Sequence, residues 1–322
     1  MPTRRRFLAA ALAARPAGGL ARAQEGFPDR PVCLVVSFAA GGFNDVLARF
    51  LAQGAAPGLG QPVVVENRAG GGGMLGSELV ARAAPDGHTL LMASVPHVVS
   101  PLMVPGPAYD PVRDFAGVIL AGEVPNVLVV HPDVPARSVP ELLALIRAHP
   151  GRYSYASNSV GGSSHLGMEL FRMAAGGLDV THVPYRGSAP ALADLMAGRV
   201  AMTMNNLTFQ LPAIRDGRLR AIAVASAQRS PLLPEVPTVA ESGLPGFRAT
   251  AWFAVLAPAG TPAPVLARLG DVLAGVLRGP DVAARLPGFG VIAGDGPATM
   301  RFLAEEQGRW SPVIRAANIR AG

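Results

Sequence analysis

Val32-Cys33-Leu34-Val35-Val36-Ser37-Phe38-Ala39-Ala40-Gly41-Gly42-Phe43-Asn44-Asp45-Val46-Leu47-Ala48-Arg49 is the stretch that decides the fold. Its first five residues are apolar and rich in β-branched side chains, which predicts a buried strand. Ala39 to Gly42 predict a turn, and the apolar spacing through Val46, Leu47 and Phe50 predicts a helix capped by Asn44 or Asp45. Unpaired N–H groups at such a helix start, with the positive end of its dipole, favour an anion without any basic side chain. Gly41-Gly42 lets that anion approach the backbone. This is half of a binding site; a strand, glycine turn and helix with no ligand is the alternative reading of the same residues.

A second stretch repeats the pattern. Tyr153 to Ala156 predict a short strand, Ser157-Asn158-Ser159-Val160-Gly161-Gly162-Ser163-Ser164 a polar glycine loop, and His165 to Ala174 a helix. Asn158, Ser163 and Ser164 add side-chain donors to the backbone ones. His165 falls in the first turn, where the dipole disfavours a protonated ring, so it is read as neutral and not as a cationic clamp. The two devices could hold one anion from opposite sides. The ends of other strands supply the remaining candidates: Phe38 and Ala39, Ser94 after Thr89–Ala93, Tyr185, Gly187 and Ser188 after Val180, and Asn205 after Arg199–Met204.

Pro62–Asn67 predicts a strand and Met74–Ala84 a helix, so the first hundred residues read as a β-α-β-α-β unit. Tyr109 to Phe115 reads as a turn-rich connector, Val127–Val130 as a strand, and Ser138 as the cap of a helix reaching His149. A helix capped by Ser188, strands at Leu219–Ala225 and Trp252–Leu256, and helices at Pro262–Leu277 and Pro297–Ile314 follow. Strands and helices alternate throughout, so the class is α/β.

Composition narrows the function. Thr3-Arg4-Arg5-Arg6-Phe7-Leu8, an Ala/Leu run and Ala21-Arg22-Ala23 predict an export signal cleaved after Ala23, of the twin-arginine kind or a strongly basic Sec signal. That segment holds five of the 28 basic residues and none of the 22 acidic ones, which leaves 23 against 22. The chain contains no lysine, its arginines are scattered, and no nucleic-acid surface is expected. The single cysteine, Cys33, lies in the first strand, so no intramolecular disulfide forms. No later run approaches the ~18 apolar residues of a membrane span. Gly71 to Gly76 fit G-x-G-x-x-G, but they follow the second strand and no acid closes the third, so no dinucleotide cofactor is expected. The six histidines show no ligand spacing, which predicts no metal. An exported hydrolase using Ser163 or Ser164 with His165 or His182 lacks the G-x-S-x-G elbow.

Short motifs in fixed order carry a resemblance over essentially the whole mature chain: Phe27-Pro28-Asp29-Arg30-Pro31, Ala39 to Asp45, Glu66-Asn67-Arg68-Ala69-Gly70, Pro85-Asp86-Gly87-His88-Thr89-Leu90, Tyr109-Asp110-Pro111 to Asp114-Phe115, His182-Val183-Pro184-Tyr185-Arg186-Gly187, Val236 to Gly243 and Trp252-Phe253. The chain resembles the Bug family, the periplasmic substrate-binding proteins of tripartite tricarboxylate transporters. The resemblance implies a two-lobed periplasmic-binding-protein fold, type II-like, with two crossing segments and a ligand cleft between the lobes. One lobe would span 24–124 plus 228–322 and the other 125–227. It implies that the ligand loops are Ala39–Asp45 and Ser157–Ser164, with a carboxylate held by main-chain amides and waters. It also implies a monomer that partners integral membrane transporter subunits; a receptor signalling to a membrane sensor would have the same site. Ser37 and Ala39-Ala40 stand where the family commonly has proline, and Asn205 where receptors for amino acids often have Asp. These departures favour a plain organic acid.

Overall fold

The structure is a computed structural model that describes residues 26–185 and 187–320. The expected export segment with its cleavage after Ala23, and Arg186, lie outside the described residues.

The N-terminal region forms β1 (Val32–Val36), α1 (Phe43–Leu59), β2 (Val63–Asn67), α2 (Met74–Ala81) and β3 (Thr89–Ser94). Val32 pairs with Val63 and Cys33 with Thr89, both parallel, so the expected β-α-β-α-β unit forms with β1 between β2 and β3. Two short helical turns, α3 (Val95–Val99) and a 3-10 turn Ser100–Met103, then lead to β4 (Phe115–Val130). This long strand was legible only from Val127. Its first part reads poorly because Gly117, Gly122 and Pro125 interrupt it. The glycines are there because backbone crosses them: a Cβ at Gly117 would overlap Gly296 O, and one at Gly122 would overlap Gly290 O. Bulges fall at the same places in its ladder with β9 (Thr250–Pro258).

Beyond β4 come α4 (Val139–Ala148), β5 (Ser154–Ser157), α5 (Ser163–Ala174), β6 (Thr181–Pro184), α6 (Ser188–Met196), β7 (Met202–Asn206), α7 (Leu207–Arg215) and β8 (Arg220–Val224). Ser138 caps α4 as expected, accepting the Glu141 N–H at 3.3 Å. After β9, α8 (Ala263–Leu277) and α10 (Gly296–Ala316) match the two expected C-terminal helices, with α9 (Asp281–Arg285) and β10 (Gly290–Gly294) between them.

The ten strands of the described residues join one curled sheet in the order β2-β1-β3-β9-β4-β7-β5-β6, with β8 and β10 also on β4. β4 is shared: Phe115–Pro125 pairs with β9, and Asn126–Val130 pairs with β7. The apolar clusters follow the same division. Leu34, Leu47, Leu51 and Leu273 pack on one face of the first half, and Leu91, Trp252 and Trp310 on the other. Leu128, Met204 and Phe171 pack on one face of the second half, and Val127, Leu195 and Leu211 on the other. Residues 228–249, expected to begin the return to the first lobe, pack on the second half of the sheet: Leu233 and Val236 join one of its clusters, Val239, Phe247 and Ala249 the other. The irregular stretch has no strand of its own to reveal its side, so only its packing shows where the chain crosses back.

Candidate ligand cleft

The β1–α1 turn is held open by two glycines. Gly41 has φ 87°, a left-handed conformation that glycine adopts without a Cβ penalty, and Gly42 is the cap residue at φ −79°, ψ 168°. Asn44 and Asp45 do not cap the helix as expected, because it starts one turn position earlier, at Phe43, and no side chain among the described residues caps it. The first-turn N–H groups are therefore left for an external acceptor. Asp45 works from behind. It is buried, accepts the Gly41 N–H at 3.0 Å, and receives Arg49 Nε at 3.1 Å and Asn67 Nδ2 at 3.0 Å. Burial pushes the Asp45 carboxyl up, but these three donors outweigh it and hold it below the usual carboxylate range. The same Asn67 amide donates to Phe38 O at 3.0 Å, fastening the loop to β2. Sequence reasoning missed Asn67 as a ligand-loop anchor; its signal was the polar pair Glu66-Asn67 closing an apolar run. Arg49 is half exposed and Arg68 pairs with Glu66. Both are already paired with carboxylates of the chain itself.

The β5–α5 turn has the same construction. Gly161 has φ 73°, Gly162 caps at φ −74°, ψ 166°, and α5 begins at Ser163, two residues before the expected His165, again with no side-chain cap among the described residues. His165 occupies the position that Asp45 holds in α1, and its Nδ1 accepts the Gly161 N–H at 3.0 Å. An accepting Nδ1 means a neutral ring. Burial, with His182 beside it, pushes His165 down to about 4. The two rings stack with centroids 4.0 Å apart, Tyr155 stacks on His182 at 4.8 Å, and His182 Nε2 lies 2.6 Å from Ser157 Oγ.

Several candidates converge on this second loop. Ser164 Oγ accepts the Asn158 N–H at 3.0 Å and donates to Asn158 Oδ1 at 2.6 Å. Asn158 Nδ2 and Asn205 Nδ2 both donate to Ser188 Oγ at 3.4 Å, and the Gly187 N–H donates to Asn158 O at 2.8 Å. Ser188 is the first residue of α6 and not its cap, a place held by Gly187 at φ 116°. Tyr185 is drawn away: its hydroxyl donates to Asp194 at 2.8 Å. On the other side, Asn44 Nδ2 donates to Ser94 Oγ at 3.3 Å, at the start of α3. A Cβ on Gly161 would lie 2.6 Å from Met103 Cε and 3.7 Å from Val99 Cγ1, beside the end of α3. The two glycine loops thus flank one short helix, with Asn44 at its start and Gly161 at its end.

The hydrolase arrangement does not form among the described residues. Ser164 is fully buried and spent on Asn158, His165 is spent on Gly161, and the serine that meets a histidine is the fully buried Ser157. Cys33 donates to Glu66 at 3.4 Å, and burial pushes its thiol up to about 11.

The model of the tripartite tricarboxylate transporter family receptor matches residues 47–319. The chain belongs to that family. As a receptor of this kind it is 39% identical to BugT of Bordetella pertussis, over 91% of each chain. Its fold superposes on Rpa4515 of R. palustris, solved with adipate, at a TM-score of 0.83 and 37% identity, covering 91% of this receptor and 99% of that chain. MatC of Rhodopseudomonas palustris, solved with bound malate, gives 0.80 and 35% over 89% and 100%. The periplasmic-binding-protein fold expected from the resemblance is therefore the receptor's fold. No helix among the described residues is long and apolar enough to cross a membrane.

Proposed function

We propose that this chain binds a small organic carboxylate between two lobes in the periplasm and delivers it to the integral membrane subunits of a tripartite tricarboxylate transporter. The observation that carries the reading is the pair of glycine-capped helix starts, α1 and α5, whose first-turn N–H groups are left without side-chain caps. Two such ends facing one cleft bind a carboxylate without a cation, which suits a chain with no lysine. The adipate and malate of the two related structures are both carboxylates, which supports the class.

The ligand groups in this reading are Phe38, Ala39, Gly41, Gly42, Asn44 and Ser94 from the first lobe, and Asn158, Ser163, Ser164, Gly187, Ser188 and Asn205 from the second. Asp45 and His165 act through the loops they fasten, and Tyr185 shapes the wall. The lobes divide at the two crossings, 26–125 plus 250–320 against 126–249, and close on the ligand. The mature chain begins after Ala23 and acts as a monomer.

A thermal-shift screen of mono-, di- and tricarboxylates, followed by calorimetric titration, tests this directly. A ligand at 100 times its dissociation constant stabilises the fold by about 2.7 kcal/mol. Failure of every carboxylate to raise the melting temperature sinks the reading.

A further inference from the structure

Across the β4–β7 ladder Val130 faces Met202, Leu128 faces Met204, and Asn126 faces Asn206. Side chains alternate along a strand, so these three pairs share one face of the sheet. The first two belong to the apolar cluster beneath α4 and α5. The third extends the same row to the end of β7 with two carboxamides. Asn126 has no exposed surface, and among the described residues neither its Oδ1 nor its Nδ2 has a partner; Asn206 Oδ1 is likewise buried and unpartnered. Carboxamides buried in this way are costly, and folds keep them where something else supplies the bonds.

The start of α5 lies over this pair. A Cβ on Gly167 would sit 2.9 Å from Met204 Sδ, so Gly167 passes above Met204. β5 and β7 are parallel, and α5 returns against the direction of β5. Four residues of helix and two of strand each advance about 6 to 7 Å. Ser163, with the free N–H groups of the first turn, therefore passes above Asn206 and Asn126. β4 changes partner from β9 to β7 between Pro125 and Asn126, which puts the pair on the seam between the two halves.

We propose that Asn126 and Asn206 form a subsite that reads a hydroxyl group, making this receptor selective for 2-hydroxy carboxylic acids over their deoxy counterparts. The proposal rests on the reading of the α5 start as a carboxylate site. With the carboxylate on the α5 N–H groups, the hydroxyl on the adjacent carbon donates to a carboxamide Oδ1 and accepts from Asn126 Nδ2. A hydroxyl carries both a donor and an acceptor, the two partners that Asn126 Oδ1 and Nδ2 lack among the described residues. A methylene carries neither, and an ammonium leaves Asn126 Nδ2 unsatisfied.

Calorimetric titration of the mature chain with malate against succinate, and citrate against tricarballylate, tests it. The hydroxy acid should bind at least about tenfold tighter in one pair, as expected when its loss leaves buried polar groups unpaired. Asn126→Leu should bring the two members of that pair to within about threefold, keep the deoxy acid's affinity, and raise the ligand-free melting temperature by removing an unpaired amide. Asn206→Leu provides the same comparison if the first variant does not fold. Equal binding of hydroxy and deoxy acids by the unmodified chain overturns the subsite alone. So does an Asn126→Leu variant that melts lower with the preference unchanged, which makes the amide structural. If the unmodified chain binds no carboxylate at all, the α5 reading fails and the subsite with it.

Discussion

Gly42 and Gly162 hold nearly the same backbone conformation, φ −79°, ψ 168° and φ −74°, ψ 166°, at the starts of two helices in different halves of the chain. In each case a glycine with positive φ precedes the cap, and a side chain at the third helical position accepts that glycine's N–H. Both cap residues are in ordinary extended backbone, so what distinguishes them is the space around them.

A Cβ on Gly42 meets nothing nearer than Ala39 O at 4.0 Å. Gly42→Val should therefore fold with stability changed by less than about 1 kcal/mol, while its branched side chain covers the N–H groups and weakens carboxylate binding at least about tenfold. At Gly162 the Cβ would come within 2.7 Å of Asn158 Oδ1, so Gly162→Ala should lower both stability and affinity. Paired melting curves and titrations check the contrast; full affinity in Gly42→Val would remove the first loop from the site.

Arginine variants test the opposing account, a bidentate clamp. Arg49 is tied to Asp45 and Asn67 and Arg68 to Glu66, so Arg49→Ala and Arg68→Ala should leave affinity within about threefold, with Arg49→Ala melting slightly lower. Arg186→Ala completes the set. Loss of binding in any one of them, with Gly42→Val still binding, reverses the assignment.

Acid should unfold the protein through its buried imidazoles. Burial pushes His97 and His165 each down to about 4, against about 6.5 in an unfolded chain. The unfolded state then binds protons first, so this stability is complete above about pH 6.5 and is lost as pH falls toward 4, by about 3 kcal/mol per histidine. His165→Asn keeps an acceptor for the Gly161 N–H without a titrating ring. Its melting temperature should fall less steeply between pH 6.5 and 4 than that of the unmodified chain; identical slopes would count against the assignment.

Gly117→Ala and Gly122→Ala should each destabilise by about 2 to 3 kcal/mol, because the added carbon meets a backbone oxygen that no rotamer change can move. Urea unfolding checks this. A change below about 0.5 kcal/mol would mean that β10 and α10 shift freely against β4.

The alternating architecture and both glycine loops were legible because local signals carry them: apolar periodicity for strands such as Val32–Val36, and positive-φ demand for glycines such as Gly41 and Gly161. Cap positions were misread at Asn44, Asp45 and Ser188, since a glycine cap leaves no side-chain signature and the polar residues after it look like caps. The first part of β4 was missed because its glycines answer to strands and helices far along the chain. The side on which 228–249 packs was missed because Leu233, Val239 and Phe247 would suit either core. Asn126 was not singled out in the sequence, because its significance appears only when Asn206 is set across from it.

A strand held in common by both halves also limits how this protein can be taken apart. Residues 115–130 supply backbone partners to β9 and β10 at one end and to β7 and β8 at the other. Expressing either half alone would leave a raw sheet edge and invite aggregation. A fluorescent reporter domain intended to register ligand binding is therefore better inserted in an exposed surface turn such as Gly176-Gly177, away from the shared strand, than at any cut between the halves.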